Sequence, residues 1–327
     1  MPKPTIKLKY QFVTKLLISH ILIAALPIII TGFFLIKTAR TTVEQNFKVR
    51  IIELARHSAK NITMVLENAE KIIELNAANI FNISSNRITK ELVINEIINE
   101  FPIFRDVKLL DDSGYVSIST SIINHTMRYP DEALLTEIVS DSVYLSEVFL
   151  SEDKLPLMKI ARPVSKFEGQ NEILVAELNL KEMWDLIESS VVGEEAQAFV
   201  FDKNGRYIAH SERKRVYLGE KFQEPKILQE IAFNMEGQSV HTNREGVEMV
   251  TAFVSLPKLG WWVVIQQPTE KAFAVAHKMK ILILWFAALS IIISSFIAFL
   301  YTRWIATPVN QVISGIDKFS SDRKSVV

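Results

Sequence analysis

The chain has 327 residues, of which 49% are hydrophobic, with 37 basic side chains, 37 acidic side chains and no cysteine. A formal net charge of zero argues against a dedicated nucleic-acid-binding protein, which normally carries a basic excess. The lack of cysteine excludes disulfides and thiolate metal sites. The length allows two or three domains.

Two segments of 21 residues, 16–36 and 281–301, contain no Asp, Glu, Lys or Arg. As helices they are about 31 Å long, which matches a hydrocarbon core of about 30 Å. The sequence therefore predicts two transmembrane helices. The first apolar run is longer than that of a signal peptide, which favours an uncleaved anchor.

The flanking charges predict the membrane topology. Residues 1–15 contain four lysines and no acidic residue, so the positive-inside rule predicts a cytoplasmic N-terminus. Two spans then return the C-terminus to the cytoplasm and leave residues from about 38 to 280 outside. Basic residues also lie on the outer side, but long loops are translocated largely regardless of charge.

Residues 38–101 are predicted to form a stalk helix and a second helix. No Gly or Pro occurs between Phe33 and Phe101, which predicts one helix from the membrane to about Asn82. The segment 82–86 is rich in capping residues and is expected to start the second helix. The stalk stripe can pack on the chain's own sheets, on a partner stalk in a homodimer, or on both. Its members recur in steps of three and four, at Phe47, Ile51, Leu54, Ser58, Ile62, Val65, Ala69, Ile72 and Asn76.

An internal repeat with an offset of about 91 residues follows the stalk. The segments 107–116 and 198–207 each contain an apolar strand, a turn with Asp and Gly, and a second strand. Further strands match between 158–164 and 249–255, and between 173–176 and 262–265. Helical patterns lie at 131–139 and 226–233. We therefore expect two antiparallel-sheet units, residues 102–190 and 191–275.

The repeat carries a family resemblance. Residues 252–268, with Gly260, Trp261 and Trp262 at their centre, resemble the closing hairpin of the double Cache sensor domain of bacterial receptors. Residues 174–180 resemble the equivalent strand of the membrane-distal unit. The resemblance covers residues 38–275. It implies an α+β fold in which two transmembrane helices flank a long stalk helix and two tandem PAS-like units, anchored in the bacterial inner membrane.

Residues 302–327 resemble the first helix of a HAMP linker, with Pro308 near the helix start and an apolar stripe after it. The second HAMP helix is missing, and an output domain is expected to follow. An ordinary juxtamembrane amphipathic helix is the alternative. Because no Gly or Pro occurs from 269 to 307, we expect one stiff helix to carry the signal from Pro268 into the second span.

No constellation for catalysis or metal binding is found. The six histidines have no compact metal spacing, and no nucleophile elbow, Walker loop or dinucleotide turn occurs. The chain is therefore predicted to be a non-enzymatic sensor without cofactor or metal, which signals to a histidine kinase. The alternatives are a diguanylate cyclase, a chemotaxis receptor, or a membrane-anchored binding or scaffold protein without output.

The resemblance implies that a small molecule binds in the membrane-distal unit. A strand-terminal guanidinium can clamp a carboxylate, and an acidic residue can bind an ammonium group. The Arg-x-x-x-Trp-Tyr pattern of amino-acid-binding relatives is absent from residues 123–129, which favours a small carboxylate ligand. Each candidate also fits a surface ion pair or a strand-edge position. The candidate ligand residues are Arg162, Glu177, Arg128, Tyr129 and Tyr144.

Overall fold

The computed structural model describes residues 5–82, 86–111, 113–121, 128–138, 143–164, 172–191 and 193–324. The chain divides into a central unit of residues 48–272 and a terminal unit of residues 1–47 and 273–327. The predicted α+β fold, with long apolar helices near both ends and two antiparallel sheets between them, is confirmed.

Helix α1 spans Thr5–Asn82, so the first apolar segment and the predicted stalk belong to one helix. Its buried stripe in the central unit advances 29 residues in eight steps, about 3.6 residues per step, as in a straight α-helix. The predicted stripe followed a shorter period and slips by one residue at Leu54, Val65, Ile72 and Asn76, which are only half-buried. The stripe consists of Ile51, Ala55, Ser58, Ile62, Leu66, Ala69, Ile73, Ala77 and Ile80, and Ala59 beside it is also buried.

This stripe packs within the chain's own central unit, while contact with a partner stalk stays a prediction. The hydroxyl of Ser58 lies 2.8 Å from that of Ser190. Two residues before Ser58, Arg56 forms a bidentate ion pair with Glu236.

Helix α2 spans Arg87–Glu100, and the side chain of Asn86 caps it by accepting a hydrogen bond from the Ile88 amide at 3.1 Å. The sequence places Ile88, Leu92, Ile97 and Phe101 on one apolar face of this helix, and this prediction is wrong in part. Ile97 is buried, but Ile88 and Leu92 are exposed. Lys90 is buried instead and donates to both carboxylate oxygens of Glu172 at 2.7 and 2.8 Å. A lysine whose charge is paired can therefore occupy the inner face.

The first repeat consists of one sheet with two helices. Its strands pair antiparallel in the order β2-β1-β6-β5-β3, and β4 pairs with β5. The strands are β1 Phe104–Leu110, β2 Val116–Ser119, β3 Tyr144–Leu145, β4 Phe149–Leu150, β5 Pro156–Val164 and β6 Glu172–Asn179. The helices are α3 Glu132–Glu137, between β2 and β3, and α4 Lys181–Ser189, after β6.

The second repeat has the same strand order, β8-β7-β11-β10-β9. Its strands are β7 Gln197–Phe201, β8 Tyr207–His210, β9 Glu236–Thr242, β10 Glu248–Leu256 and β11 Trp261–Pro268. Helices α5 Arg213–Tyr217 and α6 Pro225–Phe233 lie between β8 and β9.

The two hairpin turns show the repeat in atomic detail. Asp111 accepts hydrogen bonds from the amides of residues 113 and 115, and Asp202 accepts them from the amides of residues 204 and 206. Gly114 and Gly205 have φ of 80° and 76°, a conformation that favours glycine. The matching turns explain why the Asp and Gly spacing could be detected in the sequence.

The predicted uninterrupted helix after Pro268 is wrong. Pro268 ends β11, helix α7 covers Thr269–Ala272, and helix α8 covers Ala274–Lys324, so Phe273 separates them. The break therefore has no Gly or Pro at it. Pro308 lies within α8 rather than near a helix start. Since proline has no amide hydrogen, it removes one backbone hydrogen bond from this helix.

Both terminal helices are apolar. Two helical segments of the described residues, Ile21–Asn82 and Ala274–Trp304, are long and apolar enough to cross a membrane, by length and composition alone.

A buried histidine in the second repeat has a lowered pKa. The ring of His210 stacks on Phe199 with a centroid distance of 5.3 Å and is 2% exposed. Its Nδ1 atom accepts a hydrogen bond from the Glu212 amide at 2.8 Å. Burial, with a smaller contribution from the positive charge of Arg215, lowers the pKa of His210 to about 4. The neutral ring is therefore the native form at neutral pH.

We expect the free energy of unfolding to fall as the pH drops from about 6.5 to about 4. The unfolded chain binds a proton on His210 in this range and the folded chain does not, so acid favours unfolding by about 3 kcal/mol. Urea unfolding of the fragment 36–276 at pH 7.5, 5.5 and 4.5 measures the slope. His210→Leu should flatten most of it and leave a remainder from His241, whose pKa burial also lowers. An equal slope in wild type and variant would contradict the assignment.

Candidate functional site

One face of the first sheet carries a row of charged side chains. Glu177 on β6 pairs directly with Asp106 on β1 and with Lys159 on β5. Residues directly opposite one another in an antiparallel sheet share a face, so these three side chains lie side by side. Lys108 lies two residues after Asp106 and joins them on that face.

Asp106 and Lys108 form a buried ion pair, each side chain being 9% exposed. Lys108 donates to Asp106, and its Nζ lies 3.8 Å from a Glu177 oxygen. The hydroxyls of Thr120 and Ser121 donate to the Asp106 carboxylate at 2.6 and 2.9 Å. Burial alone raises the pKa of Asp106, but Lys108 and the two hydroxyls outweigh it, so the pKa lies below its ordinary value. Asp106 is therefore a buried anion.

Lys159 forms the second ion pair of the cluster. Its Nζ donates to Asp131 at 2.7 Å, and the side chains are each 18% exposed. Asp131 also caps α3 by accepting a hydrogen bond from the Leu134 amide at 3.2 Å. Burial raises the pKa of Asp131, but Lys159 and this amide outweigh it, so the pKa is lowered. The cap ties the position of α3 to Lys159.

The ring of Tyr129 lies close to both lysines. The Nζ atoms of Lys159 and Lys108 are 5.2 and 5.9 Å from its ring centroid, which is the range of cation–π contacts. The ring is 5% exposed, and its hydroxyl has no hydrogen-bond partner among the described residues. Burial, and then the charges of Glu177 and Asp131, raise the pKa of Tyr129. The cluster therefore contains a neutral phenol that can donate or accept.

The apolar part of this cluster lies around the Tyr129 ring. Tyr144 on β3 is partly buried and packs against it, opposite Ala161. The buried residues around Tyr129 are Leu110, Val116, Leu134, Ala161, Ile173 and Val175.

Of the five ligand residues predicted from the sequence, three come together on this face: Glu177, Tyr129 and Tyr144. Arg128 is exposed and forms an isolated bridge with Tyr115. Residues 122–127, which directly precede Arg128, lie outside the described residues.

Arg162 lies on the opposite face of the sheet. It follows Ala161 of the Tyr129 cluster on β5, and successive side chains on a strand alternate between faces. Its Nη2 lies 3.6 Å from a carboxylate oxygen of Glu74, on α1. Arg162 and Glu177 therefore do not share a site.

Sequence reasoning missed Asp106, Lys108, Asp131 and Lys159. A signal existed for the first two, because charges spaced by two residues in a strand must share one face. Asp131 begins a predicted helical segment, where an acidic residue is already explained as a helix cap and gives no sign of a second role. Lys159 could not be found, because strand pairing brings it to Glu177 from 18 positions away.

The cluster is suited to a small ligand with both charge signs. It holds two ammonium groups, from Lys108 and Lys159, and three carboxylates, from Asp106, Asp131 and Glu177. Lysines can bind a ligand carboxylate, and Glu177 has the fewest protein partners of the three acids. Among the described residues, no group of three or more His, Cys, Asp or Glu side chains is arranged to hold a metal ion.

The comparison with protein families matches the Cache domain model to residues 36–276. This range contains the whole central unit and both sheets. A search of curated proteins finds no significant match.

Solved structures with the same fold include sensory domains of different receptors. The ligand-binding domain of Mlp24 with asparagine is 18% identical, with a TM-score of 0.57, covering 73% of this chain and 99% of that one. The ligand-binding domain of the Pseudomonas fluorescens chemoreceptor CtaA, in complex with L-isoleucine, is 16% identical, with a TM-score of 0.54 and coverages of 72% and 98%. The extracellular domain of the putative histidine kinase rpHK1S-Z16 is 11% identical, with a TM-score of 0.56 and coverages of 68% and 94%.

The chain spans only 40% of a longer relative, an extracellular ligand binding receptor from Desulfohalobium retbaense. At these identities the likeness establishes the fold alone.

Proposed function

Because the chain belongs to the Cache domain family, we propose that it is the sensory and transmembrane module of a two-pass receptor in the bacterial inner membrane. Residues from about 38 to 280 are extracytoplasmic in this proposal, and 16–36 and 281–301 are the spans. Two apolar helices next to the family match support it. The receptor acts as a homodimer, and its output is a histidine kinase.

The ligand site that we propose is the charged face of the first repeat, which is the membrane-distal unit. Glu177 binds an ammonium group of the ligand, Lys159 and Lys108 bind a carboxylate, and Tyr129 supplies a hydroxyl. Tyr144 and Arg128 border the site. The single observation that carries this proposal is Tyr129, whose buried hydroxyl has no partner among the described residues and whose ring lies within 6 Å of two lysine ammonium groups.

A small zwitterion fits this face better than the plain carboxylate suggested by the sequence. A plain carboxylate would occupy both lysines, including Lys108 next to Glu177. It would supply no positive charge of its own to neutralise Glu177. An amino acid supplies both charges, although residues 123–129 lack the Arg-x-x-x-Trp-Tyr pattern of amino-acid-binding relatives. The Mlp24 and CtaA domains are in complex with amino acids, asparagine and L-isoleucine respectively.

A thermal-shift screen of the fragment 36–276 tests the ligand class. Amino acids, simple carboxylates, amines and sugars are compared at equal concentration. A ligand at one hundred times its Kd stabilises the fold by about 2.7 kcal/mol, which is easily measured. We expect amino acids to give the largest shift. A larger shift with a sugar or a plain amine would reject the zwitterion.

A further inference from the structure

A connector, defined as residues 145–148, runs from the last residue of β3 to the start of β4 and is hydrogen-bonded to Lys159 of the proposed ligand site. The Ser146 amide donates to the Lys159 carbonyl at 2.9 Å, and the Lys159 amide donates to the Ser146 hydroxyl at 2.8 Å. Both backbone polar groups of Lys159 are therefore held by Ser146. The side chain of the same lysine reaches Asp131 and the face of Tyr129.

The next residue of the connector reaches the second repeat. A Glu147 oxygen accepts a hydrogen bond from Arg206 Nη2 at 2.9 Å, and Arg206 Nε lies 3.4 Å from Asp202. Asp202 is buried and its other oxygen accepts the amides of Asn204 and Arg206, which fixes the β7–β8 turn. Glu147 is thus connected to the β7–β8 turn of the second repeat.

The connector also has space beside it. Residues 145–148 line a cleft of about 150 Å³ whose other wall comes from the second repeat. That wall includes Asp202, Lys203, Ile208, Lys258 and Trp261. Close-packed contacts resist displacement, so a connector that borders a cleft can shift at less cost than one embedded in the core.

We propose that Ser146 and Glu147 are transmission residues that couple the first repeat's ligand site to the second repeat. This rests on the proposed function. A ligand carboxylate competes with Asp131 for the Lys159 ammonium and moves Lys159. Ser146 follows because its amide and its hydroxyl are both hydrogen-bonded to the Lys159 backbone, and Glu147 then changes its bond to Arg206. The exposed Glu147–Arg206 pair adds little to the free energy of unfolding. Its role in this proposal is to connect the two repeats and not to stabilise them.

A second connection between the repeats serves as the control. Helix α4 follows the strand that carries Glu177, and Arg213 bonds to its residues Asp185 and Glu188. Trp184 of the same helix donates to the Ile208 carbonyl at 2.8 Å. If the coupling used α4, variants of Arg213 would interrupt it and variants of Glu147 would not.

Hydrogen exchange on the full chain in bilayer discs of phosphatidylethanolamine and phosphatidylglycerol tests the proposal without a ligand. Lys159→Met is the perturbation at the site, and peptides covering residues 200–208 report on the second repeat. We expect Lys159→Met to change their exchange rates at least threefold in the wild-type and Arg213→Gln backgrounds. In the Glu147→Gln background the change should disappear.

No change in the wild-type background, or a change that persists with Glu147→Gln, would overturn the proposal. Asp131→Asn removes the anionic partner of the Lys159 ammonium and leaves the lysine side chain intact. This variant replaces Lys159→Met if Lys159→Met does not fold. The exchanged pair Glu147→Arg with Arg206→Glu should restore the coupling. Because no ligand is used, this experiment can fail while ligand binding at the site stands, and the reverse also holds.

Discussion

Replacing Lys108 by methionine is expected to lower the free energy of unfolding of the fragment 36–276 by about 3 to 5 kcal/mol. Methionine has a similar length and leaves little cavity, so the loss comes from the charge. Asp106 would remain as a buried anion with two hydroxyl partners and no cation. Urea unfolding at pH 7.5 measures the difference.

Two variants distinguish this reason from a general loss of packing. Asp106→Asn combined with Lys108→Met removes both charges and should recover most of the lost stability. Lys258→Met removes a lysine that is paired with Glu70 but is 60% exposed, so it should cost about 1 kcal/mol or less. A loss below 1 kcal/mol for Lys108→Met would mean that the pair is not buried as described.

Inserting four glycines between His277 and Lys278 is expected to abolish the response to ligand in a fusion of this chain to a kinase output. Both residues lie in α8, which leads into the second apolar segment. Each glycine lowers helix stability by about 1 kcal/mol relative to alanine and gives the backbone free rotation. A conformational change in the sensor would therefore not be transmitted through the glycine segment of α8. Kinase activity with and without ligand is the measurement.

Four alanines inserted at the same place are the matched control. They add about one helical turn, which changes the phase of the helix by only about 40° and keeps it stiff. The alanine chain should respond within about twofold of wild type, and the glycine chain at least tenfold less, with equal ligand affinity. Equal responses from both insertions would show that the signal does not travel through this helix.

The parts of the fold that follow from local chemistry could be predicted. The turns at Asp111 and Asp202 require an acceptor side chain and a glycine at fixed spacing, so the repeat was visible in the sequence. The stalk helix was visible because residues 34–100 contain neither Gly nor Pro. Its buried stripe was misplaced at Leu54, Val65, Ile72 and Asn76, because the buried positions follow the period of a straight α-helix and not a heptad period.

The parts that depend on long-range pairing could not be predicted. Glu177 and Tyr129 were chosen as candidates, but their partner Lys159 is brought to them by the pairing of β5 with β6. Arg162 looked equivalent to Glu177 as a strand charge, and only the register places it on the face of α1. The break at Phe273 has no breaker residue at it, so propensity alone gave no sign of it.

The central claim is that ligand binds on the Tyr129 face of the first repeat and not on the α1 face. Titrating the amino acid with the largest thermal shift into the fragment 36–276 by calorimetry tests it most directly. Glu177→Gln should weaken binding at least tenfold, while Arg162→Gln, which changes a charge on the opposite face, should leave the Kd within about twofold. Tenfold weaker binding with Arg162→Gln and unchanged binding with Glu177→Gln would contradict the account.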